Sequence, residues 1–232
     1  MSIRSTAGSY RGDIDGLRSM AVILVIFFHA GSNLFPSGFI GVDLFFVISG
    51  YLMSGIILTQ VGENNFRITE FFSRRLWRIQ PALIVVSLAA LIAASLLYVV
   101  PDYIDFLKSA KYNSLFLSNQ FFAKQSVAYA TPQSDFFPLL HTWSLSIEWQ
   151  WYLFLPLIVL AGWAIFRRLG VFKLAQKQRT ILTILLWALV TFALAAVSLH
   201  LSQHSPGESY YFLLTRAFEF TAGGTSFVWQ ER

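Results

Sequence analysis

Arg18 and His29 bracket the apolar run S-M-A-V-I-L-V-I-F-F. Such a pair could set an anion-binding guanidinium at one end of a helix and a proton-accepting imidazole at the other. Eleven residues at about 100° each return to within about 20° of the starting face, with a rise of about 16 Å, so both side chains project from one stripe. Arg18 also reads as a plain cytoplasmic anchor, and His29 as an interfacial histidine bonded to a neighbouring helix. Embedded in an apolar run, His29 is the base that works near neutral pH, and general-base chemistry would fall to it.

Asp43 lies in G-F-I-G-V-D-L-F-F-V-I-S-G-Y-L, in the first turn of a second apolar segment. A carboxylate there caps free amides and complements the helix dipole. Equally, it could hold one nitrogen of His29, fix the tautomer and raise the basicity of the other nitrogen. Gly41 and Gly50 let neighbouring backbones come close. In F-F-S-R-R-L-W-R-I-Q-P, Arg74, Arg75 and Arg78 fall three and four apart, which puts a guanidinium cluster on one helical face. Guanidinium forks bind phosphate bidentately, and the same run reads as three topology anchors. In H-T-W-S-L-S-I-E-W-Q-W-Y, His141, Ser144 and Glu148 share a helix face. Glu148, inside an apolar helix, needs a partner: an arginine, His141 or a substrate hydroxyl. Trp149 and Trp151 read as an aromatic belt. Arg216 and Glu219 are three apart and form either a self-neutralising pair or supporting polar groups. His200 and His204 read as solvated flanks of a polar outer link.

These residues must be carried by elements that tolerate lipid. In 232 residues, 56% are hydrophobic and only 12% charged, with 23 phenylalanines, a composition from which a water-soluble surface could hardly be built. Segments near 19–37, 40–59, 80–100, 139–165, 180–201 and 210–229 are long enough to span a bilayer as helices. The expected fold is all-α, a polytopic transmembrane bundle, with residues 1–18 as a cytoplasmic arm and 19–232 as one membrane domain. Lys and Arg set the orientation. Arg4, Arg11 and Arg18, then Arg67, Arg74, Arg75 and Arg78, then Arg167, Arg168, Lys173, Lys177 and Arg179 fall on alternate links and mark one cytoplasmic side, N-terminus included. The stretch 101–138 balances Lys108, Lys111 and Lys124 against Asp102, Asp105 and Asp135, which fits the outer side; its apolar middle, Tyr112–Phe122, lies on or dips into the membrane. An extra crossing there would turn the basic 167–179 link outward. The start also resembles a short secretory signal, but the later apolar segments make retention in the membrane the simpler account.

The formal charge of +5 is concentrated in these links and calls for anionic headgroups rather than nucleic acid. Cysteine is absent from the sequence, so thiolate and disulfide chemistry have no part. No metal-ligand spacing, P-loop, G-x-S-x-G or Rossmann signature occurs.

Taken in order, D-G-L-R-S followed by His29, the G-F-I-G-V-D run, the F-F-S-R-R-L-W-R-I-Q-P run, H-T-W-S-L-S-I-E and R-A-F-E-F with its glycines resemble acyltransferase family 3 over nearly the entire chain. These are multi-spanning O-acyltransferases that include O-antigen and other polysaccharide acetyltransferases. The resemblance implies a membrane domain of about ten spans, of which about six are present here. It implies transfer of an acyl group, usually acetyl, from cytoplasmic acyl-coenzyme A as co-substrate to a hydroxyl of a cell-surface carbohydrate or glycolipid, with no permanently bound cofactor. It assigns His29 with Arg18 to catalysis, Arg75 and Arg78 to the donor, and Asp43, Glu148 and Glu219 to support. The expected location is a bacterial inner membrane. Family members usually carry two acidic residues where this chain has Glu148-Trp149, so the second role is missing here. A transporter or flippase for a glycolipid or anionic solute is the rival from another class, since buried charges also line transport paths.

Overall fold

The computed structural model describes residues 11–31, 34–125 and 137–230; Arg4, Asp135 and most of the expected 1–18 arm lie outside them. Helices account for nearly all of the described chain, and no strand occurs among the described residues. In order they are α1 (Gly12–His29), α2 (Ile40–Gly62), α3 (Ile68–Leu97), α4 (Val100–Ser114), α5 (Ser118–Lys124), α6 (Thr142–Arg168), α7 (Gln176–His204), α8 (Pro206–Ser209) and α9 (Leu213–Gln230), with a 3₁₀ turn at Val171–Lys173 between α6 and α7.

Every expected span has its helix, but the boundaries differ for physical reasons. Helix α1 starts at Gly12, where Asp13 and Asp15 complement the dipole of its first turn, and stops at His29 before Gly31 at φ +67°. Part of the expected arm is therefore helical. Helix α3 starts at Ile68, so Arg74, Arg75 and Arg78 stand within it and not in the link before it; the arginines, Leu76 and Gln80 of the run are good helix formers. Four helices, α2, α3, α6 and α7, are long and apolar enough to cross a membrane. Six spans were expected. The first and last, α1 and α9, are 18 residues each and carry Asp13, Asp15 and Arg18 in one case and Arg216 and Glu219 in the other. His200 and His204 are exposed in the last turns of α7, beside the link that follows it, as expected of solvated flanks.

The chain divides into two compact units. The first comprises residues 1–66, 154–198 and 216–232. In it α1 packs on α2, with Gly38 against Leu24 and Phe28 and Gly41 against Ala21 and Val25. Positions that fall as their partners rise make the pair antiparallel. Helix α9 packs on α2 in the other sense: Asp43 meets Arg216, Val47 meets Gly223, and Gly55 meets Phe227. Parallel packing is what three crossings between α2 and α9 produce, and a fourth crossing in the 101–138 stretch would reverse it. That stretch instead begins with α4 and α5, two helices of 15 and 7 residues.

The second unit comprises residues 67–153 and 199–215. One of its apolar clusters gathers Ala94, Phe106 and Leu139, with Leu91, Tyr98 and Tyr103 packed around them. Trp143 is fully buried against Tyr210 and Tyr211, with ring centroids 4.9 and 5.4 Å away. Short α5 is held by polar groups. The hydroxyls of Ser118 and Ser146 lie 2.7 Å apart, Asn119 donates to the Tyr211 carbonyl, and Gln150 donates to Asn119.

Candidate functional site

His29 ends α1 with its ring exposed. Its Nδ1 lies 2.8 Å from the Val25 carbonyl. A carbonyl has no proton to give, so Nδ1 carries the hydrogen and the neutral ring keeps its lone pair on Nε2. The backbone of its own helix thus supplies the tautomer control that a carboxylate could also have supplied. Phe28 meets the ring edge-on at 5.1 Å. Arg18 is half-buried three turns earlier on the same helix.

The packing register places Asp43. Contacts of Gly41 with Ala21 and Val25, and of Gly38 with Leu24 and Phe28, put α2 position 43 level with about position 21 of α1. Eight residues separate that level from His29, about 12 Å, and three separate it from Arg18, about 5 Å. Asp43 sits toward the arginine end, and its Oδ1 accepts a hydrogen bond from Arg216 Nη1 at 3.2 Å. The same nitrogen donates to Glu219 Oε1 at 3.0 Å. Arg216 and Glu219 form the pair read from their spacing, and Asp43, 173 positions away in sequence, makes it a triad. Exposure of the side chains falls from 33% at Asp43 to 14% at Arg216 and 5% at Glu219. Glu219 Oε2 is inaccessible and has no hydrogen-bond partner among the described residues.

A further group in the same unit was not anticipated. Arg11 chelates Asp13 through Nε and Nη2 at 2.9 and 2.7 Å and reaches the Tyr51 hydroxyl at 3.4 Å, while Tyr51 donates to Gln230. The Arg11 fork holds the Asp13 carboxyl down at about 2. Spacing announces Arg11 and Asp13, but nothing local announces Tyr51 or Gln230.

In the second unit the three arginines of α3 have unlike surroundings. Arg74 is paired with Glu70 one turn back. Arg75 is half-buried, its guanidinium 5.8 Å from the Phe71 ring, and its Nε is buried without a hydrogen-bond partner among the described residues. Arg78 is exposed beside Trp77, which is 79% exposed. Glu148 accepts a hydrogen bond from the Tyr152 hydroxyl, an i,i+4 neighbour on its own helix. His141 precedes α6 in a turn and is exposed, and its carbonyl accepts from the Ser144 hydroxyl at 3.2 Å. The tryptophans do not form a belt. Trp151 is 4% exposed, and Trp149 stacks on Phe116 at 4.9 Å, because this half of α6 packs its aromatic faces against protein. Phe116 holds φ at +54°, an uncommon conformation for a bulky residue. The structure thus brings together Asp43, Arg216 and Glu219 in one unit, and Arg75 and Glu148 with its partner Tyr152 in the other.

A profile described as an acyltransferase domain matches residues 11–232. The provisionally named membrane-bound transacylase BcsY of Komagataeibacter xylinus is 36% identical over 221 residues, 94% of this chain and 51% of that protein. The peptidoglycan O-acetyltransferase OatA of Listeria monocytogenes is 34% identical over 223 residues, 95% of this chain and 34% of that protein. A provisionally named O-acetyltransferase of Staphylococcus aureus is 38% identical over 152 residues, 65% of this chain and 25% of that protein. The chain therefore spans about half the length or less of these relatives. No solved structure matches it.

Proposed function

The chain belongs to the acyltransferase family whose profile covers residues 11–232, and on that premise we propose that it is the part of a membrane O-acyltransferase that moves an acyl group, acetyl in the simplest case, from acyl-coenzyme A to a hydroxyl of a surface carbohydrate or glycolipid. The observation that supports this reading is the presentation of His29: the residue is exposed and its Nδ1 lies 2.8 Å from the Val25 carbonyl, so the base role falls to Nε2. His29 Nε2 takes the acceptor's hydroxyl proton as its oxygen attacks the thioester carbonyl; the carbon–sulfur bond breaks, and the leaving thiolate recovers a proton. In the acyl-carrier variant Nε2 attacks the thioester first and the acceptor oxygen then displaces the ring.

Arg75 and Arg78 supply the donor contacts. Phosphate is bound best by guanidinium nitrogens not already committed to a carboxylate, which favours these two over Arg74, held by Glu70. An inner-membrane setting with a cytoplasmic N-terminus agrees with the distribution of Lys and Arg. The test is His29→Ala in the full-length protein, with acyl incorporation into glycan and release of coenzyme A thiol measured together. Loss of both is expected; near-normal transfer refutes the role of His29. A wild-type protein that releases no thiol when given acyl-coenzyme A and acceptor would favour the transporter reading.

A further inference from the structure

The Asp43–Arg216–Glu219 triad is assembled, yet it is unbalanced. One guanidinium nitrogen serves two carboxylates, and Glu219 Oε2 is left buried without a donor among the described residues. Buried carboxylate oxygens ordinarily accept hydrogen bonds, and a polar group so deep in an apolar helix marks a binding position more often than a packing one. The side of the triad toward later residues is closed by backbone. Gly50 lies against the Phe220 main chain, Gly223 against Val47, and the rings of Phe46 and Phe220 stack at 4.7 Å. Asp43 is its most exposed member. The level of Asp43 falls between those of Arg18 and His29, along the stretch of α1 that separates the two residues expected to act together.

We propose that Glu219 and Asp43 form a hydrogen-bond-accepting subsite for a neutral, N–H- or O–H-bearing part of a substrate, held in shape by Arg216. This rests on the acyltransferase reading and adds to it a second polar site about 12 Å from the His29 level. Carboxyl oxygens accept hydrogen bonds, so the site takes amide N–H or hydroxyl groups rather than phosphate, which is itself an acceptor. Two sources have that chemistry: the amide-containing arm of the acyl-coenzyme A donor and the hydroxyls of the carbohydrate acceptor.

The experiment uses the full-length protein in lipid nanodiscs, with Glu219→Gln and Asp43→Asn. Three quantities are read: coenzyme A affinity by calorimetry, KM for acetyl-coenzyme A and for an N-acetylglucosamine oligomer, and melting temperature. Loss of a hydrogen bond to a charged group weakens binding about tenfold or more. Weaker coenzyme A binding with an unchanged acceptor KM assigns the donor arm. A raised acceptor KM with unchanged coenzyme A binding assigns the acceptor hydroxyl. Either result supports the subsite. Unchanged affinities in both variants overturn it, as does a fall in kcat alone, which identifies a purely structural triad. Should Glu219→Gln fail to fold, Asp43→Asn at the more exposed position decides. A wild-type protein that neither binds coenzyme A nor releases its thiol refutes the acyltransferase reading; calorimetric binding of the N-acetylglucosamine oligomer to the wild type and to both variants then judges the subsite, and equal binding by all three overturns it.

Discussion

Replacing Gly50 by Ala tests the contact on which the first unit is built. An ideal Cβ at Gly50 would lie 2.0 Å from the Phe220 carbonyl oxygen and 2.6 Å from its Cα, and one at Gly223 would lie 2.0 Å from the Val47 oxygen. An ordinary contact at such a position is about 3.5 Å, so the shortfall is about 1.5 Å. Both obstructing groups are main chain, and no rotamer change relieves them; α2 and α9 must part. Overpacking of this kind costs up to about 3 kcal/mol, offset by a helix-propensity gain of about 1 kcal/mol for Ala over Gly. The net loss of about 2 kcal/mol corresponds to a fall in Tm of about 4–8 °C for a domain of this size. Separation by that amount also carries Arg216 beyond reach of Asp43, now 3.2 Å away. The control is Gly16→Ala, where an added Cβ meets nothing within 4 Å and Tm should hold or rise. Thermal melting of both variants in detergent micelles, followed by tryptophan fluorescence, reads the difference. A Gly50→Ala protein that melts at or above the wild type would refute the close α2–α9 packing.

Other consequences follow from single contacts. Ser146→Ala leaves the buried Ser118 hydroxyl and N–H without their partner and should cost about 1–3 kcal/mol, read as a lower Tm. Arg216→Gln strands two carboxylates that share one guanidinium; breaking a buried pair costs about 3–5 kcal/mol, so this variant should melt well below the double variant Arg216→Gln/Glu219→Gln. Asp13 has its pKa lowered from 3.8 to about 2 by Arg11, so its contribution is present above about pH 4 and is lost as pH falls toward 2. The pair is exposed, so Asp13→Asn should lower Tm only slightly at pH 7, less in high salt, and not at all below pH 2.

The sequence by itself determined the helices α1, α2, α3, α6, α7 and α9 and their order, because each is marked by a long apolar run and bounded by charge, glycine or proline, all local signals; the shorter α4, α5 and α8 carry no such run. It determined that His29 and Arg18 share a helix, and that Arg216 and Glu219 sit one turn apart, since 3.6-residue periodicity fixes such relations without reference to the rest of the chain. Local signals also misled. Trp149 and Trp151 resemble a belt in sequence, and only the packing within the second unit shows that Trp151 is buried and Trp149 half-buried against Phe72 and Phe116. Hydropathy alone placed the start of α3 twelve residues late, because a basic run depresses it while remaining helical.

What the tertiary structure decided is which distant polar groups neutralise one another. No spacing predicts that Asp43 meets Arg216, that Tyr51 meets Gln230, or that Ser118 meets Ser146, as these pairs are set by which helix faces abut. The register of α1 on α2 moved Asp43 away from the His29 level toward Arg18, and it did so through Gly38 and Gly41, whose missing side chains let the backbones approach until the offset is fixed. Helix periodicity is a property of the chain alone; register is a property of two surfaces, and it is decided where those surfaces touch.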